Sequence, residues 1–348
     1  MKTTLESFRN FLLIFFIIFI SLSCQLTNVV KKGPTQTPVP PTQTVTIKPT
    51  YTPFPLGSKE NPYIIASTAS VDDGEEAELA LEEIATYLSD QSGQVFTGKI
   101  YSDYHSLLFD LQKKKIQFAW LPPIPYIVAN RNNSAIPVVL INSYGIYFYG
   151  VQFFADRDSD FEIYYDQNSG ESTASAEEAL AQFANQTPCW VDPDSLSGYL
   201  VPIGLLNDQG IDLSEGVFAH SASAVIRSLY IKGICDFGVT YAHTGDPRTA
   251  SSLADLPDVQ ERIVIIWKSD PIIPMMNLSA YPDLDSRLVQ QVAEILTDFS
   301  HKKEGRDILS QAINTSVEAV KPINDAAYEP LRHYLGAAGV DIQPLIDR

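Results

Sequence analysis

The residues best equipped for chemistry form one short run, Cys189-Trp190-Val191-Asp192-Pro193-Asp194-Ser195-Leu196-Ser197-Gly198-Tyr199-Leu200. An apolar strand ends at Asp192-Pro193, a hydroxyl-rich turn follows, and a helix starts at about Ser195, whose side-chain oxygen can cap backbone N–H groups. Gly198 lets a ligand approach the backbone of the first turn. Free N–H groups, the positive end of the helix dipole and the hydroxyls of Ser195 and Ser197 make a site for an anionic or oxygen-rich group. The same residues also fit an ordinary serine-capped strand-to-helix connection. Elsewhere the sequence offers little for catalysis. His105, His220, His243, His301 and His333 are scattered without metal-ligand spacing. There is no nucleophile elbow and no Gly-rich phosphate loop. The many carboxylates read as a solvated surface. The expectation is a binding protein, not an enzyme, with no cofactor.

The elements that position this run lie behind an export leader. Residues 1–24 hold a basic start at Lys2 and Arg9, an apolar stretch over 11–20, and Ser21-Leu22-Ser23-Cys24. The apolar stretch is short for a membrane span and fits a secretion signal. Cys24 after small residues resembles a bacterial lipoprotein signal, with the cysteine lipidated; an uncleaved anchor helix is the alternative. Residues 25–57 alternate Pro with Thr and Gln, cannot build a core, and read as an extended tether. The net charge is −18. Removing the leader, which holds two bases and one acid, makes it more negative by one. Such acidity argues against nucleic-acid binding and requires any anion site to work through local donors. Cys189 and Cys235 are the only cysteines besides Cys24. In an oxidising compartment they invite a disulfide, with buried free thiols as the alternative.

From residue 58 onward the chain alternates strands and helices. Strands are expected at 63–66, 95–101, 116–121 and 138–141, with helices at 76–89, 104–114 and from 125. The aromatic run 144–154 reads as one long strand crossing between lobes. A second unit follows, with a helix at 175–185, a strand at Cys189, a helix at 197–207, a strand at 217–218, a helix at 222–232 and a strand at 235–241. A strand at 263–267 and helices at 284–299, 303–313 and 327–335 complete the pattern. Such alternation implies largely parallel sheets covered by helices, with ligands beyond the C-terminal strand ends.

In this order the chain resembles the phosphonate-, phosphite- and phosphate-binding proteins of ABC uptake systems. The resemblance covers nearly all of 60–345. It is carried by Ser102-Asp103-Tyr104, Phe118-Ala119-Trp120-Leu121-Pro122-Pro123 with Tyr126, and Val191-Asp192-Pro193. Ser197-Gly198-Tyr199-Leu200, Gly210-Ile211-Asp212, Val217-Phe218-Ala219, Lys232-Gly233 with Asp236, and Ile273-Pro274 complete it. The resemblance implies an α/β, two-lobed periplasmic-binding-protein type II fold. Each lobe is expected to hold a mostly parallel sheet flanked by helices, with the ligand cleft at the hinge. The expected parts are lobe 1 over 58–150 and 244–348 and lobe 2 over 151–243. The resemblance further implies capture of a small oxyanion-bearing ligand, delivery to an ABC permease, a monomer, and anchoring through Cys24 to the outer face of the cytoplasmic membrane. A ligand sensor coupled to a signalling partner is the alternative.

The implied ligand residues are Tyr104 and Tyr126 from the first lobe. From the second they are Ser195, Leu196, Ser197, Gly198, His220, Ser221 and Tyr241. Alternative readings make Tyr104 a solvated cap and Tyr126 a core residue with its hydroxyl in a groove. This chain departs from the family pattern at Leu196, where a hydroxyl residue is usual. Ala222 replaces a histidine, with His220 two residues earlier, and Met275-Met276 lie where aminoalkyl-phosphonate binders carry an acid. Lost donors weaken recognition of a fully charged head.

Overall fold

A computed structural model describes residues 54–70 and 74–347. The signal segment, Cys24 and the tether up to residue 53 lie outside the described residues. At the start of the described body, Gly57 is already fixed: its carbonyl accepts from the Val95 N–H at 2.9 Å. The body therefore begins slightly before the expected boundary at 58.

The strands, in chain order, are β1 Tyr63–Thr68, β2 Phe96–Tyr101, β3 Phe118–Leu121, β4 Ile136–Asn142, β5 Phe148–Asp156, β6 Tyr165–Asp166 and β7 Glu171–Ser172. They continue with β8 Pro188–Trp190, β9 Val217–Phe218, β10 Phe237–Ala242, β11 Ile263–Lys268, β12 Ile273–Pro274, β13 Asn277–Ala280 and β14 Ala319–Pro322. Two main sheets result. The first has the order β14-β4-β13-β3-β1-β2, the second β11-β5-β10-β8-β9.

Setting β14 aside, the two orders match strand for strand. β1 and β8 are flanked by parallel partners on both sides, and β13 and β5 are the antiparallel strands inserted next to β3 and β10. Each inserted strand comes directly after the chain has passed over from the other sheet. The sheets, expected to be mostly parallel, are mixed: three of five pairings in the first and two of four along the second are antiparallel.

Both passages lie at the same ends of the sheets. Gly150 of β5 pairs with Ala242, the last residue of β10, and Asn277 of β13 pairs with Leu121, the last residue of β3. The C-terminal ends of the parallel strands in both sheets therefore sit beside the crossings, where open α/β sheets bind ligands. The crossings also bond to each other: the Met275 N–H donates to the Tyr147 carbonyl at 2.9 Å.

Two expectations need correction here. The aromatic run is not one strand: Tyr144 and Gly145 take positive φ (55° and 78°) in a tight turn closed between Ser143 and Ile146, and β5 starts at Phe148. The return to the first sheet also falls later than residue 244. β11 pairs with β5 from Ile263↔Asp156 onward, so 263–268 belong to the second sheet.

The central strands β3 and β13 of the first sheet are buried on both faces, and alternation sends their side chains into two different cores. Phe118 and Trp120 point into a core with Leu81, Ile84 and Leu88 of the helix Gly74–Ser92, joined by Leu296 and Leu309. Those helix positions repeat every three or four residues. Ala119 and Leu121 face a second core that also contains Phe153, Phe237 and Ile266 of the second sheet. Tyr328, Leu331 and Leu335 of the C-terminal region belong to that same core. The helix Glu329–Ala338 packs along the helix Val201–Asp208, so closely that a Cβ on Gly204 would overlap the Tyr334 carbonyl. The segment after it returns to the helices Tyr104–Gln112 and Pro123–Arg131.

Candidate functional site

β8 carries Cys189, which is bonded to Cys235 just before β10, with Cα atoms 5.6 Å apart. The bridge pins two neighbouring parallel strands immediately upstream of the serine turn. Closing a loop over a separation of 46 residues removes unfolded-state entropy worth about 4 kcal/mol.

Beyond β8, Ser195 does structural work. Its Oγ accepts from the Gly198 N–H at 3.0 Å, and its carbonyl accepts from both Tyr199 (3.0 Å) and Leu200 (2.9 Å). The turn Leu196–Leu200 is consequently wider than an α-helical turn before the regular helix Val201–Asp208 takes over. Gly198 is buried, and a Cβ there would collide with Val191. Its lack of a side chain serves the close approach of turn and strand. It is not an opening for a ligand.

What stays free is the very tip. The N–H groups of Leu196 and Ser197 and the Ser197 hydroxyl have no partner among the described residues. Unpaired amides at a helix start are what an oxyanion needs.

A second tip stands next to the first because β8 and β9 are paired, Trp190 against Phe218. The helix Ala222–Ile231 begins there, capped by Ser221, whose Oγ accepts from the Ala224 N–H at 3.1 Å. The Ser223 hydroxyl lies 3.3 Å from that of Ser221. Between the tips, the His220 N–H donates to the Val191 carbonyl, and the ring Nδ1 sits 2.8 Å from Asp192 Oδ1. His220 takes a positive φ of 65° and is largely exposed. The sequence reading missed both Ser223 and the Asp192 partner of His220, because the pairing depends on strand register and has no short-range signal.

Tyr241, near the end of β10, is half-buried, and burial pushes its phenol up, assisted by Asp246. The strand that carries it packs against the serine turn.

On the first sheet, Tyr104 opens the helix after β2 and hydrogen-bonds Thr68 at the end of β1; burial pushes its phenol up. The cap here is a carboxylate. Asp103 accepts from the Ser106 N–H at 2.7 Å and from the Ser102 hydroxyl at 2.8 Å. The Ser106 N–H above all holds its pKa below the usual carboxylate range.

Tyr126 is not where a ligand could reach it. It is fully buried, its ring centroid is 4.2 Å from that of Tyr328, and its hydroxyl donates to Asp325. Arg332 also bonds Asp325, reaching Oδ2 at 3.1 Å, and bonds Asn130 at 2.9 Å. Burial alone would raise the Asp325 pKa, but the Arg332 and Tyr126 hydrogen bonds hold it low. The C-terminal segment thus supplies an acceptor that the sequence pattern around Tyr126 could not announce, and the core reading of this residue applies.

Among the described residues no cluster of His, Cys, Asp or Glu could hold a metal ion, and no helix is long and apolar enough to cross a membrane.

The family model for "ABC transporter, phosphonate, periplasmic substrate-binding protein" matches residues 67–328. The phosphate-import protein PhnD of Mycolicibacterium smegmatis is 24% identical over 273 residues, covering 72% of this chain and 78% of that protein. Among solved structures, XAC2383 of Xanthomonas citri bound to ATP superposes with a TM-score of 0.56 at 14% identity, covering 79% of this chain and 97% of that one. The Mycoplasma hyorhinis protein Mh-p37 gives a TM-score of 0.50 at 10% identity, covering 79% and 98%. These two likenesses speak to the fold. The match over most of the chain identifies it as a member of the periplasmic substrate-binding proteins of phosphonate ABC transporters, an extracytoplasmic solute-binding protein of type II fold and not an enzyme.

Proposed function

We propose that the chain is a membrane-tethered receptor that captures a small oxyanion-bearing solute between its lobes and delivers it to an ABC permease. The observation that carries this reading is the pair of adjacent helix tips, with the Leu196 and Ser197 amides and the Ser197 hydroxyl left unbonded. In the proposed complex these groups hold the oxygens of the head. Ser221 and Ser223 border the head, His220 and Tyr241 form its rim, and Tyr104 closes from the other lobe. Leu196 and Ala222 place apolar surface where donors are usual, so an organophosphonate or phosphate ester suits the site better than a bare, fully charged anion. The relative in Mycolicibacterium smegmatis is named for phosphate import, which puts phosphate itself in the comparison set. Cys24 provides the lipid anchor and 25–57 the reach above the membrane.

The test is calorimetric titration with alkylphosphonates, phosphite, phosphate, sulfonates and small carboxylates, on the native chain and on Ser197→Ala. A saturable oxyanion ligand is expected. Because a hydrogen bond to a charged group contributes about 1.5–3 kcal/mol, the variant should bind at least about tenfold more weakly with an unchanged melting temperature. Equal affinity in the variant would sink this placement of the ligand.

A further inference from the structure

We infer that the chain carries a second small-molecule site, apart from the serine turns, for a zwitterion bearing both an ammonium and an anionic group. A cavity of about 570 Å3 opens beside the edge strand β11, with Glu171, His243, Trp267, Lys268, Asp270 and Tyr334 among its walls. Its size is within the range of small-molecule sites, and it shares no wall residue with the serine turns.

Three features define its chemistry. First, the Lys268 ammonium is half-buried and has no carboxylate partner among the described residues, in a chain with 42 acids to 24 bases. Its neighbour is the face of Tyr165, 5.4 Å away, on an adjoining hollow that Lys268 and His243 also line, and this contact leaves the charge uncancelled. Second, Glu171 and Asp270 stand on the same cavity, and their carboxylates likewise have no bonded partner among the described residues. No ion pair joins these three groups among the described residues. A simple anion therefore meets two carboxylates, and a simple cation meets Lys268. A molecule with both charges satisfies each sign at once. Third, two rings, those of Trp267 and His243, belong to the same cavity wall. Trp267 is held by its indole N–H on the Ala174 carbonyl at 3.0 Å, and the His243 ring approaches the Ser269 carbonyl at 3.3 Å. Burial, with Lys268 nearby, holds the His243 pKa below the ordinary histidine value, so the ring adds no charge at neutral pH.

The experiment is titration calorimetry with zwitterions of increasing charge separation: glycine, γ-aminobutyrate and 6-aminohexanoate. Acetate and butylammonium serve as single-charge controls. One zwitterion is expected to bind saturably, with each control about tenfold weaker or worse. Lys268→Ala and Asp270→Asn should each lower its affinity about tenfold, and both side chains reach solvent, so folding is checked by an unchanged melting temperature. Ser197→Ala should leave zwitterion binding intact, which separates this site from the oxyanion site. No saturable binding by any zwitterion, binding that survives Lys268→Ala, or binding lost instead in Ser197→Ala would each overturn the assignment.

Discussion

β2 and β9 hold the same place in their sheets, yet the helices that follow them start differently. After β2 the cap is a carboxylate, Asp103, which fills its own helix tip with negative charge. After β8 and β9 the caps are serines, Ser195 and Ser221, which satisfy one amide each and add no charge. Cap choice is worth little to stability either way, about 1 kcal/mol. For an incoming anion the difference is large in sign: one tip repels it and two attract it. Under the proposed function, the repeated topology divides labour, with the head group assigned to the serine-capped tips and Tyr104 facing it from the first lobe. The disulfide sits on the same side of this division, next to the tips that must stay in register.

The heaviest perturbation of this asymmetry is loss of the bridge. Cys189→Ser with Cys235→Ser is expected to cost about 4 kcal/mol, read as a large fall in melting temperature, and reductant should do the same to the native chain. A melting curve indifferent to reductant would mean that the bridge contributes nothing. Next comes Gly198→Ala, which forces turn and β8 apart at Val191. Overpacking of this kind costs about 1–3 kcal/mol, and the displaced tip should also bind the oxyanion more weakly. Unchanged stability would place the turn further from the strand than described.

A smaller change sharpens the comparison. Asp103→Ser gives the first lobe the neutral cap of the second. Stability should fall by less than about 1 kcal/mol, while oxyanion affinity should stay level or rise; a fall in affinity would make Asp103 part of recognition. The mildest test is acid. The Lys115 hydrogen bond, above all, holds the Asp110 pKa down at about 2, and Asp325 is also depressed. Groups with lowered folded pKa values stabilise the protein above the unfolded carboxylate range near 4, and that contribution is lost as pH falls toward about 2. Chemical-denaturation midpoints should decline across this window, and Asp110→Asn should flatten the decline.

Much of this was legible in the sequence. The buried runs at β1, β3, β4 and β11 and the three-to-four spacing of the helices marked the main elements, and the serine turn stood out by composition. The rest was hidden for identifiable reasons. β13 and β14 have four residues each, and β13 contains Asn277 and Ser279; they are strands because long-range partners make them so. The fate of Tyr126 depended on Asp325, 199 residues away. The late return to the first sheet depended on β11 choosing β5, which no local pattern encodes.

The strap formed by the helix Glu329–Ala338 has a consequence for biogenesis. Tyr328, Leu331 and Leu335 complete an interior that both sheets share. That interior cannot close while this segment is still inside the ribosome. A chain cut short before Tyr328 lacks packing that both sheets use, so the last residues synthesised are among those that complete the fold.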